Sequence, residues 1–202
     1  MLAGRSRANV ETPSHRRTGR GSVRGRVSTG IRAVTAIVVT DRGTSLEFSF
    51  EEMMKYHGPS SPGGVAHAFK VMERAWPLLD SGGRPERREI MVRTAFGGPG
   101  ARDAFECVTR AVTEDRYVLD SALERPERGR TLERFVFRLG YRGRAVTLAV
   151  REGYVTDEFI ELARKEGRTA EETARLHLLK GEMASRVMAV PAVYVYDVTE
   201  RT

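Results

Sequence analysis

Three side chains in the middle of the chain could act together in chemistry: the single cysteine, one histidine and one aspartate. Cys107 is the only thiol among 202 residues. A thiol becomes a nucleophile when a nearby base or positive charge stabilises its thiolate, and His57 is the only candidate base that we can name. Asp103 lies one helical turn before Cys107, so a helix would place both on the same face.

Each of these residues also has a purely structural interpretation. Cys107 would by default be a buried structural thiol. His57 lies at a predicted helix end, where a partly charged imidazole is a favourable cap. Asp103 lies in the first turn of a predicted helix, where a carboxylate is stabilised by the helix dipole.

Two glycine-rich segments each precede a predicted helix. The first spans residues 57–64 (HGPSSPGG) and the second residues 97–100 (GGPG). The N-terminus of a helix presents backbone N–H groups with partial positive charge, and glycine allows close approach to them. If the two segments face each other, they form a pocket for a ligand, with Gly98 and Gly100 in its wall. Otherwise both are tight connections. Neither has the GxxxxGK[ST] spacing of a P-loop.

The elements that hold these segments follow from the hydrophobic periodicity of the sequence. We predict a β-hairpin at residues 34–50, a short helix that ends at Gly58, and an amphipathic helix at 64–79 with His67 at its boundary. A strand at 89–96, a helix at 101–112 and a short strand at 116–120 follow. Residues 121–129 are predicted to be a charged loop, before a second hairpin at 132–150. Helices at 155–165 and 169–189 precede a final short strand or extended segment at 193–198. Thr169 and Glu172 form a capping-box signature at the start of the last helix. Runs of strands with few helices between them favour an α+β fold.

The net charge of +7 belongs to the N-terminal segment. Residues 1–32 contain eight arginines and one acid, Glu11, which leaves 26 basic and 26 acidic residues in the other 170. We predict that residues 1–31 are disordered, because they are too polar to bury apolar surface, and that residues 32–202 form a single domain. The segment could be a solvated extension, a tether to nucleic acid or a targeting peptide.

Composition excludes several classes of protein. No apolar run approaches the roughly 20 residues that span a bilayer. One cysteine excludes an intramolecular disulfide framework and a zinc site made of cysteines alone. We expect a cytoplasmic protein without a membrane partner. Its apolar strands and methionine-rich first helix make a homodimer plausible.

Residues 50–117 resemble the FmdE-like family, which is named after a component of formylmethanofuran dehydrogenase. Members of that family carry an HGHxCPG motif, a helix, a strand, and a C-x-x-D-A segment that opens the next helix. His57-Gly58 and Pro62-Gly63 match the two ends of the motif, and Asp103-Ala104 matches the later segment. The resemblance implies an α+β fold with an α-β-α-β-β-β core and a mixed β-sheet packed with helices. To this core the chain adds an N-terminal β-hairpin and a helical C-terminal region.

The sequence departs from the family at the metal-binding positions. Pro59 replaces the second histidine of the motif, Ser61 replaces its cysteine, and Gly100 replaces the cysteine before the aspartate. The family site is thought to hold a metal, typically zinc, which takes three or four nitrogen or sulfur ligands. We therefore expect no high-affinity zinc site, although zinc is still an alternative. The candidate ligands for it are His57, Asp103 and Cys107.

The resemblance leads to a functional expectation. We predict a ligand-binding or accessory protein with a degenerate metal site, linked to one-carbon metabolism and to the subunits of a molybdenum or tungsten oxidoreductase. The ligand would be a small molecule. Its predicted binding residues are His57, Ser60, Ser61, Gly98, Gly100 and Asp103. One alternative is a stand-alone enzyme that uses His57, Asp103 and Cys107, with or without a metal. Another is a nucleic-acid tether that acts through the basic N-terminal segment.

Overall fold

The computed structural model describes residues 35–202. The predicted disorder of residues 1–31, and any tether function that they carry, lie outside the described residues. Among residues 35–202, every helix is too short or too polar to cross a membrane.

The described chain begins with the predicted hairpin. Strands β1 (Ala36–Asp41) and β2 (Thr44–Ser49) pair antiparallel. Arg42 and Gly43 join them with positive φ angles of 52° and 84°, as a tight turn between twisted strands requires. Helix α1 (Phe50–His57) follows directly, and Ser49 and Glu52 form a capping box at its start. It ends where Gly58 takes a φ of 85°.

Five strands form the main sheet, in the order β4-β3-β5-β6-β7. They are β3 (Met91–Thr94), β4 (Tyr117–Leu119), β5 (Val136–Tyr141), β6 (Arg144–Val150) and β7 (Tyr196–Arg201). The pairing of β3 with β4 is parallel, and the other three pairings are antiparallel. The sheet is therefore mixed, as predicted.

Six further helices accompany the sheet in the described chain. They are α2 (Pro62–Leu79), α3 (Pro99–Thr109), α4 (Gly129–Leu132), α5 (Asp157–Arg164), α6 (Ala170–Met188) and α7 (Ala192–Val195). The elements from α2 to β6 include the α-β-α-β-β-β order, with α4 as a single extra turn. The predicted α+β class is confirmed, and so is the capping box of Thr169 and Glu172.

The segment before β5 differs from its prediction as a charged loop. It holds two 3-10 turns, Ser121–Leu123 and Pro126–Arg128, followed by α4. The carboxylate of Asp120 accepts a hydrogen bond from the Ala122 backbone N–H and starts the first turn. Because α4 occupies residues 129–132, β5 begins only at Val136, later than the periodicity suggests.

Helix α2 is the centre of the core, since α3, α6, α7 and the sheet all pack against it. His67 is fully buried there, so its predicted position at a solvent boundary is wrong. An amphipathic pattern assigns one exposed face, but this helix is covered on several sides. His67 Nδ1 lies 2.7 Å from the hydroxyl of Tyr196. Burial lowers the pKa of His67 to about 3, which keeps the imidazole neutral at physiological pH.

Candidate functional site

The two glycine-rich segments lie against each other at the N-termini of α2 and α3. A Cβ atom on Gly100 would lie 2.4 Å from the carbonyl oxygen of Ser61, and one on Gly64 would lie 3.0 Å from the backbone nitrogen of Ala101. Neither position could carry a side chain without a shift of the backbone. Glycine is therefore needed here for close approach of two chain segments.

Both segments line one cavity of about 430 Å³, which α5 and α6 help to enclose. This volume lies within the range of roughly 300–1,000 Å³ that is usual for small-molecule sites. One part of the wall is apolar, formed by Phe96, Phe135, Phe159, Ile160, Leu176 and Met183. Another part is formed by Ser61 and by the polar backbone of Gly63, Gly64, Gly97, Gly98 and Gly100. A more open depression beside it shares Thr131 and Ile160 but includes neither glycine-rich segment.

The charged side chains that line the cavity are all cationic: Arg134, Arg164, Arg168 and Lys180. Two of them are neutralised by nearby acids. Arg134 Nε lies 3.1 Å from a Glu124 carboxylate oxygen, and Arg164 Nη2 lies 2.8 Å from one of Glu133. These two arginines add little net charge to the cavity.

Neither Arg168 nor Lys180 forms an ion pair with a carboxylate within residues 35–202, although Arg168 contributes, after the hydrogen bond from Lys165, to the lowered pKa of Glu172. Arg168 Nη1 donates to the carbonyl oxygens of Leu162 and Lys165 at the end of α5, at 2.9 and 2.6 Å. Lys180 Nζ donates to the carbonyl oxygen of Ser60 at 3.0 Å. Burial, and then the positive charge of Arg168, lower the pKa of Lys180. The cavity therefore holds two cations that disfavour each other.

A second arrangement lies beside the cavity and joins three of the predicted site residues. His57 Nδ1 lies 2.8 Å from Asp103 Oδ2, and His57 Nε2 lies 3.2 Å from Ser60 Oγ. The side chain of His57 is only 4% exposed and that of Asp103 is 29% exposed. Helix α1 supplies the histidine at its last residue, α3 supplies the aspartate, and the turn after Gly58 returns Ser60 to the ring.

Cys107 has different surroundings from this group. Its side chain is half-buried, and burial raises the pKa of the thiol despite the nearby Arg87. A raised pKa favours an inert thiol over a nucleophile. Within residues 35–202, no three histidine, cysteine or acidic side chains lie close enough together to hold a metal ion. The three-ligand zinc site of His57, Asp103 and Cys107 stays a prediction.

Neither a comparison with models of known protein families nor one with curated proteins gives a significant match for this chain. The resemblance to the FmdE-like family therefore stays a prediction as well.

The predicted site residues fall into two groups, and the cations of the cavity are not among them. Of the predicted residues, Ser61, Gly98 and Gly100 line the cavity, whereas His57, Ser60 and Asp103 form the arrangement beside it. The cavity cations were missed because an arginine or lysine in a charged helical region has the pattern of a solvated side chain. Only the packing of α5 and α6 brings them to the glycine-rich segments.

Proposed function

We propose that the protein binds a small organic anion in the cavity at the two glycine-rich segments. The observation that carries this proposal is the charge of the lining, which within residues 35–202 includes four cations and no acid. Two of these cations, Arg168 and Lys180, form no ion pair with a carboxylate in the described part of the chain. An anion held between them would offset both the burial of Lys180 and the repulsion from Arg168, which together lower the pKa of Lys180.

The N-termini of two helices also favour an anion in the cavity. Helices α2 and α3 both begin at the cavity, and neither has a side-chain hydrogen bond that caps its first N–H groups. Uncapped N–H groups at a helix start carry partial positive charge and favour an anion. Since the rest of the wall is apolar, the ligand that fits best has a carboxylate or phosphate group on an apolar body.

Isothermal titration calorimetry with phenyl phosphate, benzoate and benzyl alcohol tests this proposal. The two anions are expected to bind, and the uncharged alcohol is expected to bind much more weakly. Lys180→Met should weaken the binding of both anions at least about tenfold, because a hydrogen bond to a charged group is lost. Lys55→Met is the matched control, since it removes the same charge from an exposed position in α1.

Two results would contradict anion binding. One is equal affinity for phenyl phosphate and benzyl alcohol, which would mean that the apolar wall alone binds the ring. The other is unchanged anion affinity in Lys180→Met, which would mean that the anions bind elsewhere. A comparison of benzoate with phenyl phosphate distinguishes a carboxylate site from a phosphate site.

An accessory role beside a molybdenum or tungsten oxidoreductase is a second proposal. It is supported by the contact between His57 and Asp103, the two residues that match metal-binding positions of the FmdE-like family. Elemental analysis of the purified protein tests the degenerate metal site that this role assumes, because one zinc or other transition metal per chain would contradict it. A protein free of metal would favour the degenerate site.

A cytoplasmic location and a homodimer are further proposals. Exposed apolar side chains on the edge strand β4 and on its neighbour β3 support the dimer, since Leu119 is 61% exposed and Met91 is 49% exposed. Sedimentation velocity measures the oligomeric state, and Leu119→Glu should dissociate a dimer that forms through this edge. Cell fractionation tests the location.

A further inference from the structure

Ser60, His57 and Asp103 have the connectivity of a nucleophile, a base, and a carboxylate that orients the base. A carboxylate oxygen only accepts hydrogen bonds, so the contact of 2.8 Å with Asp103 Oδ2 places a proton on Nδ1. In the neutral imidazole, the lone pair of Nε2 is then directed at Ser60 Oγ, 3.2 Å away. Each ring nitrogen has the partner that a serine nucleophile of this type requires.

The surroundings suit these roles. The His57 side chain is almost completely buried, so water competes little for its two nitrogens. Ser60 is exposed, so its hydroxyl is open to a substrate. Its carbonyl oxygen accepts a hydrogen bond from Lys180 Nζ at 3.0 Å. Ser60 therefore has one contact through its hydroxyl and another through its carbonyl group.

The backbone conformation at Gly58 creates this arrangement. Its φ of 85° ends α1 directly after His57, and a short turn then returns the chain so that Ser60 lies over the imidazole. A residue with a side chain adopts such a φ at a cost. Helix α2 begins two residues after Ser60 without a side-chain cap, and its partial positive charge would stabilise negative charge that develops near the serine.

We propose that the protein hydrolyses carboxylic esters with Ser60 as the nucleophile. Ser60 Oγ attacks the carbonyl carbon while its proton passes to His57 Nε2. The ester C–O bond then breaks, and the alcohol leaves with that proton. A water molecule attacks the acyl-serine and gives a proton to His57 Nε2, which passes it back to Ser60 Oγ as the acid is released. The net reaction is ester plus water to acid plus alcohol.

Diisopropyl fluorophosphate tests for the nucleophile directly, without any assumption about the natural ester. An activated serine displaces fluoride, so an Oγ–P bond forms, a P–F bond breaks, and the mass of the protein increases. Intact mass spectrometry should find one adduct per chain, and peptide mapping should locate it at Ser60. Ser60→Ala should abolish the adduct. Ser185→Ala, at an exposed position in α6, is the matched control and should be labelled at the wild-type rate.

The base and its orienting carboxylate are tested by labelling rates. His57→Gln and Asp103→Asn should each be labelled at least about 100-fold more slowly, because loss of either group of such a triad is severe. Circular dichroism checks that each variant is folded. If His57→Gln does not fold, the labelling rate of Asp103→Asn alone tests the triad. The amide oxygen and amide N–H of asparagine can still form hydrogen bonds at that position.

Hydrolysis of p-nitrophenyl acetate tests the reaction itself. The wild-type protein should release p-nitrophenol in a rapid first turnover as the acyl-serine forms, and Ser60→Ala should release none above the buffer rate. An unlabelled wild-type protein, an adduct at another residue, or a His57→Gln variant with the wild-type labelling rate would each overturn the proposal. None of these measurements depends on anion binding in the cavity, so the two proposals can fail independently.

Discussion

Gly100 is where the two glycine-rich segments approach most closely, and Gly100→Ala tests that approach. The added methyl group would lie 2.4 Å from the Ser61 carbonyl oxygen and 3.1 Å from the Val65 nitrogen. Ordinary contacts of a Cβ atom begin at 3.4 Å, so one backbone segment must move by about 1 Å. Both neighbours are backbone atoms, which cannot rotate away as a side chain would. Overpacking of this kind costs about 1–3 kcal/mol of the free energy of unfolding.

Gly181→Ala is the matched control, because Gly181 also lies in a helix but has open space around its Cβ position. This change should increase the free energy of unfolding by about 0.5–1 kcal/mol, since alanine favours the helix over glycine. Urea unfolding followed by circular dichroism measures both variants. The midpoints should move in opposite directions at an unchanged slope. In thermal unfolding the shift should be about 2–4 °C per kcal/mol for a domain of this size.

Because alanine favours a helix at both positions, a Gly100→Ala variant as stable as Gly181→Ala would refute the close approach of the two segments. The anion affinity gives a second measure of the same geometry. Because Gly100 and Ser61 both line the cavity, a shift of about 1 Å between them should also weaken the binding of phenyl phosphate. Gly181→Ala should leave this affinity unchanged.

Three further predictions concern buried and cationic groups. Burial lowers the pKa of His67 from 6.5 to about 3. The folded protein therefore keeps its full stability above pH 6.5 and loses stability as the pH falls, because the unfolded chain binds the proton more readily. At pH 5 the free energy of unfolding should be lower by about 2 kcal/mol. Urea unfolding of the wild type and His67→Phe at pH 7 and pH 5 measures this as a difference between the two proteins. Lys70→Met leaves the nearly buried Glu73 without its cation and should destabilise the fold by about 3–5 kcal/mol, whereas Lys55→Met should change the same urea midpoint little. The affinity for phenyl phosphate should fall as the pH rises through the lowered pKa of Lys180, and calorimetry over a pH series should find this dependence absent in Lys180→Met.

Local features of the fold could be predicted because their causes are local in sequence. The two hairpins form around Asp41-Arg42-Gly43 and Tyr141-Arg142-Gly143, where the arginine and glycine of each turn have positive φ. The order of the main sheet has no such local cause. Strand β3 lies between β4 and β5, and β7 pairs with β6 from about 50 residues away, so these neighbours depend on how the whole core packs.

The candidate site also combines residues that the sequence predicts with contacts that depend on the packing of the core. His57 and Asp103 were chosen from the sequence, but their contact joins residues 46 positions apart and depends on the packing of α1 against α3. Ser60 was predicted only as a ligand-binding residue. Its contact with the imidazole depends on the positive φ of Gly58, an angle that the sequence permits but does not specify. The cavity cations Arg168 and Lys180 come from residues more than 100 positions after Ser60.

Ser60 and Ser61 connect the two proposed activities through one short segment. The hydroxyl of Ser60 contacts His57 beside the cavity, whereas Ser61 lines the cavity itself, because the chain changes from turn to helix between them. Lys180 links the two environments, since it lines the cavity and donates to the Ser60 carbonyl oxygen. Hydrolysis of an ester produces a carboxylate, which is the type of charge that the cavity lining favours. An acid released at Ser60 therefore forms next to cations that would retain it, and the cavity is suited to hold the acid portion of the substrate.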